Sequence, residues 1–204
     1  AQPSRDGIQE LGKALAPDQV ATDSLSRETY GQDWTRFATP APLAIVFPRS
    51  TEDVVAVVHC ARTHGFALVP SGGRTGLSGG AVAANGEVVV SMDKLKAVGA
   101  VNVTDRSVTV GAGAITQSIQ DAASQVGLFY PVDFASSGSS QIGGNIATNA
   151  GGINVIRYGM TRDWVAGLTV VTGKGEVMAL NKGLMKNNTG LDFRHLLIGS
   201  AGPL

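Results

Sequence analysis

Two glycine-rich runs limit what this chain can fold into. The first is Pro70-Ser71-Gly72-Gly73-Arg74-Thr75-Gly76-Leu77-Ser78-Gly79-Gly80. The second is Ser139-Ser140-Gln141-Ile142-Gly143-Gly144-Asn145-Ile146-Ala147-Thr148-Asn149-Ala150-Gly151-Gly152. Glycine at this density forfeits backbone entropy, so neither run is expected to form a helix interior or a plain strand. It is worth that cost where bare backbone must come close to another group. Interleaved with Ser, Thr, Asn and Arg74, the runs predict concave arrays of N–H donors suited to phosphate oxygens and polar ring edges. Two such arrays in one chain call for a long ligand with a phosphate section and a heterocyclic section, and a dinucleotide has that form.

The chain has 204 residues, enough to bury a core as one large domain or two small lobes. Its 16 Lys and Arg balance 16 Asp and Glu, which gives no basis for nucleic acid or an anionic membrane surface as partner. Charged residues are only 16% against 27 glycines, the balance of a ligand-holding sheet protein rather than a disordered one. A single cysteine, Cys60, excludes an internal disulfide and predicts a reducing compartment. The start, from Ala1 to Asp6, lacks the apolar core of a secretion signal, and no stretch has the length of a membrane span. These features predict a soluble protein of the cytoplasm or a matrix-type compartment. The missing initiating Met and the abrupt end at Gly202-Pro203-Leu204 predict a piece of a longer protein.

Along the chain, Ile8, Leu11 and Leu15 share a helical face that ends near Pro17. Ser24–Thr39 reads as irregular and polar, with Trp34 and Trp164 expected in core or rim packing. Leu43–Phe47 is a predicted strand. Ser50 and Asp53 form the signature of a capping box ahead of a helix on Val54, Val57, Val58 and Ala61, stopped by Gly65. Ala67–Val69 and Val88–Val90 are predicted strands, and Val101/Val103 with Val108/Val110 alternate like a half-exposed pair. A helix on Ile115, Ile119, Ala122, Ala123 and Val126 follows Gly111-Ala112-Gly113. Leu168–Leu180 reads as a hairpin about Gly173-Lys174-Gly175, and Leu191–Leu197 as a last helix. The fold class is α+β. Residues 1–40 are a helical and irregular lead-in and 41–204 one domain of two lobes, broken near 94–100.

Both common nucleotide motifs fail. Gly73–Gly80 has the wrong spacing for a dinucleotide fingerprint and no helix behind it, Gly111-x-Gly113 lacks the third glycine, and Gly173-Lys174 is followed by Gly175 rather than Ser or Thr. Arg74 is a fixed cation within the first run, of use against a pyrophosphate. His59 and His64 suit solvated or helix-capping roles, His195 suits a structural one, and none has the company of a metal ligand. Asp133 and Asp192 form no acid–base pair.

Pro70-x-Gly72-Gly73-x-Thr75-Gly76-Leu77-Ser78-Gly79-Gly80 resembles the pyrophosphate loop of the vanillyl-alcohol-oxidase flavoproteins, also called PCMH-type. The stretch from Tyr130-Pro131-Val132-Asp133 through Ile142–Gly152 to Arg157-Tyr158-Gly159 resembles their second FAD-binding segment. Within that superfamily the chain is most similar, from about Ala44 onward, to the FAD-linked D-2-hydroxyacid dehydrogenases, the branch of the D-lactate and D-2-hydroxyglutarate enzymes and the glycolate oxidase FAD subunit. The resemblance implies a two-lobed α+β domain with FAD between the lobes. Pro70, Gly72, Gly73, Arg74, Thr75, Gly76, Leu77 and Ser78 would wrap the pyrophosphate. Pro131, Asp133, Gly138, Gly143, Gly144, Asn145, Thr148, Asn149, Gly151 and Gly152 would follow the ribityl chain and flavin ring, and Val171 would meet the adenine side. Relatives that attach flavin covalently use a His in the first loop, so Arg74 at that place implies a non-covalent cofactor.

The family's FAD half usually closes on Gly-Tyr-Asp-Leu and Ile-Gly-Ser-Glu-Gly-Thr-Leu. Here Gly190-Leu191-Asp192-Phe193 and Ile198-Gly199-Ser200-Ala201-Gly202-Pro203-Leu204 stand instead, with Pro203 withholding an N–H. No residue here matches the family's substrate-binding Arg, metal-chelating histidines or catalytic His, so no catalytic or metal residue is assigned. The implied partners are a 2-hydroxy acid, met through a C-terminal substrate domain absent here, and a separate electron acceptor. The alternatives are a non-catalytic flavin module or decayed fragment, which Ala201 and Pro203 would suit, and a UDP-sugar reductase sharing the fold, disfavoured by the Gln141–Gly152 run.

Overall fold

The computed structural model describes residues 5–184 and 186–201. The expectation for Pro203 therefore concerns a residue outside the described ones. The chain divides into two compact units: residues through Leu95 with Val171–Val177, and Lys96–Val170 with the residues from Met178.

The first unit is a sheet covered on both faces. Helix α1 (Arg5–Ala14) ends shortly before Pro17, and strand β1 (Val20–Ala21) pairs antiparallel with β2 (Ala44–Val46). Helix α3 (Thr51–His64) leads to β3 (Leu68–Ser71), and β4 (Val88–Ser91) lies between β2 and β3, parallel to both. Being central, β4 is buried along its whole length, as its unbroken Val88-Val89-Val90 suggests. Alternation assigns the two faces. Val88 and Val90 pack with Leu11, Leu15, Val57, Ala61 and Phe66, while Val89 packs with Ile45, Ala83 and Tyr30.

Local chemistry sets the helix ends. Ser50 Oγ accepts from Asp53 N at 3.2 Å, and Gly65 closes α3 at φ +70. Only half of the expected capping box forms, because the Asp53 carboxylate accepts from Arg49 N and Gln19 Nε2 instead of returning to Ser50. The stretch expected to be irregular contains helix α2 (Ser24–Tyr30), capped by Asp23, whose carboxylate accepts from Ser26 N. None of its residues is buried, so it has no apolar stripe by which periodicity could reveal it.

Strands β3 and β4 are parallel neighbours, in register from Leu68–Val88 to Ser71–Ser91. The chain must therefore travel from the carboxyl end of β3 back to the amino end of β4, a crossing usually made by a helix. Here the first glycine run makes it. The run thus leaves the carboxyl edge of a parallel sheet, where open α/β sheets characteristically hold ligands.

In the second unit, α4 (Thr116–Gln125) buries Ile119 against Ala114 and Ile142. The expected pair at 101–110 is reduced to single bridges, Val98–Val110 and Asn102–Ser107. Asn102 and Asp105 bond to each other's local groups, a tight turn that competes with the ladder and places Val103 in it. The larger correction concerns the second glycine run: Ile142–Thr148 is helix α5. It is short and follows α4 and precedes α6 (Val155–Tyr158). Strands β5 (Leu168–Val171) and β6 (Val177–Leu180) pair across the Gly173–Gly175 turn, and the last helix is only α7 (Arg194–Leu197).

Candidate cofactor site

From Gly72 to Ser78, no backbone N–H donates to a protein acceptor among the described residues. The free row ends sharply at Gly79, whose N–H is taken by Asp33 Oδ2 at 2.9 Å. At its other end, Ser71 is fully buried and its Oγ has no partner among the described residues. Buried polar groups are ordinarily paired, so an orphan hydroxyl beside a row of open amides is the signature of a site completed by a ligand. Pro70 precedes it on β3, and Thr75 and Leu77 lie within the row.

Arg74 is neither a loose surface side chain nor a cation standing free for phosphate. Its guanidinium lies over the Tyr30 ring, 4.4 Å from the centroid, and donates to Gly72 O at 3.1 Å. It also lies 3.8 Å from an Asp93 carboxylate oxygen that accepts from the Tyr30 hydroxyl. The residue sits at φ +57, unusual for a side chain of this size. Arg74 braces the loop, and its charge is shared with Asp93. Burial, then the Asp93 carboxylate, pushes the Tyr30 phenol above its ordinary range.

In the second unit the run's glycines fall into two kinds. Gly152 has φ +88, and a Cβ there would overlap the Asp133 carbonyl oxygen; a Cβ on Gly143 would lie 2.9 Å from Ala112 O. The protein itself demands those two. A Cβ on Gly138 or Gly144 would meet nothing within 4 Å, and Gly151 would make only ordinary contact with Val155. Gly144 is exposed within α5, where glycine costs about 1 kcal/mol relative to alanine. No protein atom explains it.

The polar residues divide as well. Asn145 already has a partner within the protein: its amide is buried and donates to Thr116 Oγ1 at 2.7 Å, which is itself 2.7 Å from Ser140 Oγ. This bond ties α5 to α4. Thr148 Oγ1 donates back to Gly144 O, leaving an exposed hydroxyl. Asn149 ends the helix at φ +50 with its Oδ1 accepting from Arg162 N. Asp133 lends its carbonyl to Ile153 N, and Pro131 lends its own to Asn154 Nδ2. Val171 closes β5 in a partly buried position.

Burial pushes the Tyr130 phenol up to about 12, so it holds its proton at neutral pH. His195 Nδ1 lies 3.0 Å from Arg162 Nη1, in keeping with a structural role. The Arg194 guanidinium holds the Asp192 carboxyl at about 2. Trp34 is 67% exposed, against the expectation of packing, whereas Trp164 stands at a rim with its ring edge against Tyr130. Among the described residues no cluster of His, Cys, Asp or Glu could hold a metal, and no helix is long and apolar enough to cross a membrane. Asp33, Tyr30, Asp93 and the Ser71 hydroxyl escaped sequence reasoning. Only Asp33-x-Thr35 carries a local signal, that of an Asx turn.

The donor set fits FAD. Open amides and an orphan hydroxyl suit a pyrophosphate, and the unfilled space over Gly138 and Gly144 suits close approach by a flat or chain-like group. Gly144→Ala should therefore act with opposite signs: the free protein should gain up to about 1 kcal/mol in stability while FAD binds more weakly. Thermal unfolding and FAD titration read the two effects, and a gain in stability with unchanged affinity would remove Gly144 from the site.

Residues 42–181 match the FAD binding domain family. The chain is 59% identical over 197 residues to a D-2-hydroxyglutarate dehydrogenase of Stutzerimonas stutzeri, covering 97% of this chain and 42% of that protein. It is 33% identical to the mitochondrial D-2-hydroxyglutarate dehydrogenase of Bos taurus and 34% identical to a D-lactate dehydrogenase of Anaerostipes hadrus, covering 37% and 40% of them. The chain thus spans about two fifths of the length of these relatives. Among solved structures it superposes on an alkyldihydroxyacetonephosphate synthase with a TM-score of 0.86 at 23% identity, covering 98% of this chain and 39% of that one. A Physcomitrella patens BBE-like 1 structure gives 0.76 at 24% identity over 96% of this chain and 40% of that one. At those identities the structures show the fold alone, which is α+β.

Proposed function

The chain belongs to the FAD-binding domain family, and from that premise we propose that it is the FAD-holding part of a dehydrogenase that oxidises a D-2-hydroxy acid, D-2-hydroxyglutarate foremost. The observation that carries the reading is the row of unpaired amides at Gly72–Ser78 beside the orphan Ser71 hydroxyl. The identity of 59% to a D-2-hydroxyglutarate dehydrogenase supports the choice of substrate over D-lactate or glycolate.

In this reading the amides of Gly72–Ser78 bind the pyrophosphate, and Arg74 keeps their loop in shape. The exposed faces of Gly138, Gly144 and Thr148, with the half-buried Gly151, receive the ribityl chain and ring, Gly143 and Gly152 let the backbone reach them, and the Val171 backbone meets the adenine. FAD supplies the two-electron chemistry that converts a 2-hydroxy acid to a 2-oxo acid. The residues of this chain bind and orient; none is assigned as acid, base or carboxylate-binding cation. Electrons leave to a separate acceptor. A cytoplasmic setting goes with the reading, supported by a single cysteine, Cys60, whose thiol is pushed up by burial.

Attachment is non-covalent, since neither His nor Cys lies in the first loop. Acid precipitation of the yellow protein should release FAD into the supernatant, and flavin held in the washed pellet would overturn this. Added anaerobically, D-2-hydroxyglutarate should leave the flavin of the 204-residue chain oxidised. Joined to the part of the Stutzerimonas stutzeri protein outside the aligned residues, the same chain should bleach with D-2-hydroxyglutarate. Inertness of the joined protein toward D-2-hydroxyglutarate, D-lactate and glycolate alike would end the D-2-hydroxy acid reading.

A further inference from the structure

We propose that Asp33 is the positioning residue that sets the Gly72–Ser78 loop for a pyrophosphate, an inference that rests on the FAD reading for its ligand but not for its geometry. Asp33 is 4% exposed and lies far from the loop in sequence. Its Oδ1 accepts from Thr35 N at 2.8 Å and Thr35 Oγ1 at 2.5 Å, and its Oδ2 accepts from Gly79 N at 2.9 Å. The next residue adds a second hold, with Trp34 N donating to Gly76 O at 3.2 Å.

These two holds dictate which way the loop's donors face. No peptide bond among the described residues is cis. In a trans peptide the carbonyl and the following N–H point to opposite sides. Drawing the Gly76 carbonyl toward Trp34 therefore turns the Leu77 N–H away from that segment. Taking the Gly79 N–H into Asp33 ends the free row and fixes the loop's far end. A carboxylate is the wrong charge to meet a phosphate, which assigns Asp33 to holding the backbone that does. Hydrogen bonds to a carboxylate are about twice as strong as neutral ones, enough to fix a loop otherwise rich in glycine.

Amide hydrogen exchange and ligand titration test this together. In the wild-type protein without ligand, the Gly79 amide should be protected while those from Gly72 to Ser78 exchange freely. A Gly79 amide as fast as its neighbours would overturn the proposal, whether or not any variant folds. Asp33→Asn keeps the shape but sets an NH2 or a weaker acceptor against the donors. It should release the Gly79 amide and weaken FAD and ADP by about tenfold or more while leaving riboflavin, which has no phosphate, within about twofold. A parallel loss for FAD, ADP and riboflavin would make Asp33 merely structural, and no loss for any would remove its role. If wild-type protein fails to bind FAD yet Asp33→Asn frees the Gly79 amide, the FAD reading falls and the positioning role stands.

Discussion

Gly76→Val should weaken FAD binding by more than about tenfold, a loss above about 1.4 kcal/mol, while the ligand-free protein folds much as before. Gly76 is exposed and lies mid-way along the row of open amides, and a Cβ there would find its nearest protein atom, Asp33 Oδ2, 3.7 Å away. The protein leaves room for the side chain; a pyrophosphate on those amides would not. Arg74→Ala should cost less affinity, because the guanidinium is already engaged by Tyr30, Gly72 and Asp93. FAD titration of the two variants with thermal unfolding of the free proteins decides it. Equal, negligible losses would return the first run to an ordinary surface connection.

Gly152→Ala should lower stability by about 3 kcal/mol, the sum of a left-handed backbone imposed on a side chain and an overlap with packed backbone. The overlapped atom is the Asp133 carbonyl oxygen, which already accepts from Ile153 N. The melting midpoint should fall by about 9 °C for a chain of this size. A fall below about 3 °C would show that the 133–153 backbone gives way readily, and that Gly152 is not fixed by its neighbours. The contrast with Gly144→Ala, where stability should rise, separates glycines that the fold requires from those that a ligand requires.

The α+β class, the strands at β2, β3 and β4, the apolar face of α3 and the location of both glycine runs were legible because each is a local pattern. Three consecutive valines, a serine cap with a closing glycine, and glycine interleaved with small polar residues keep their meaning wherever they occur. Helix α2 was not legible, since none of its residues is fully buried and it leaves no stripe. Helix α5 was misread for a more instructive reason. Glycine disfavours a helix by about 1 kcal/mol per residue, but Ile142 packing with Ala114 and Ile119, together with the Asn145–Thr116–Ser140 bonds, outweighs two such penalties. That compensation depends on residues of α4 distant in the sequence. The same distance hid the bond from Asn145 to Thr116.

What the sequence determined by itself was chemistry: which segments carry bare backbone and small donors, and which flavoprotein family the paired runs resemble. What only the tertiary structure decided was allocation, namely which of those donors the protein uses for itself and which it leaves open. The parallel pairing of β3 with β4 turns the first run into a crossing loop at a sheet edge, and Asp33 takes the amide of Gly79 while every amide from Gly72 to Ser78 stays unpaired among the described residues. Each backbone unit carries the same donor and acceptor whatever its residue type, so sequence can mark where donors are bare. Only the approach of distant segments in space fixes which of them find a partner.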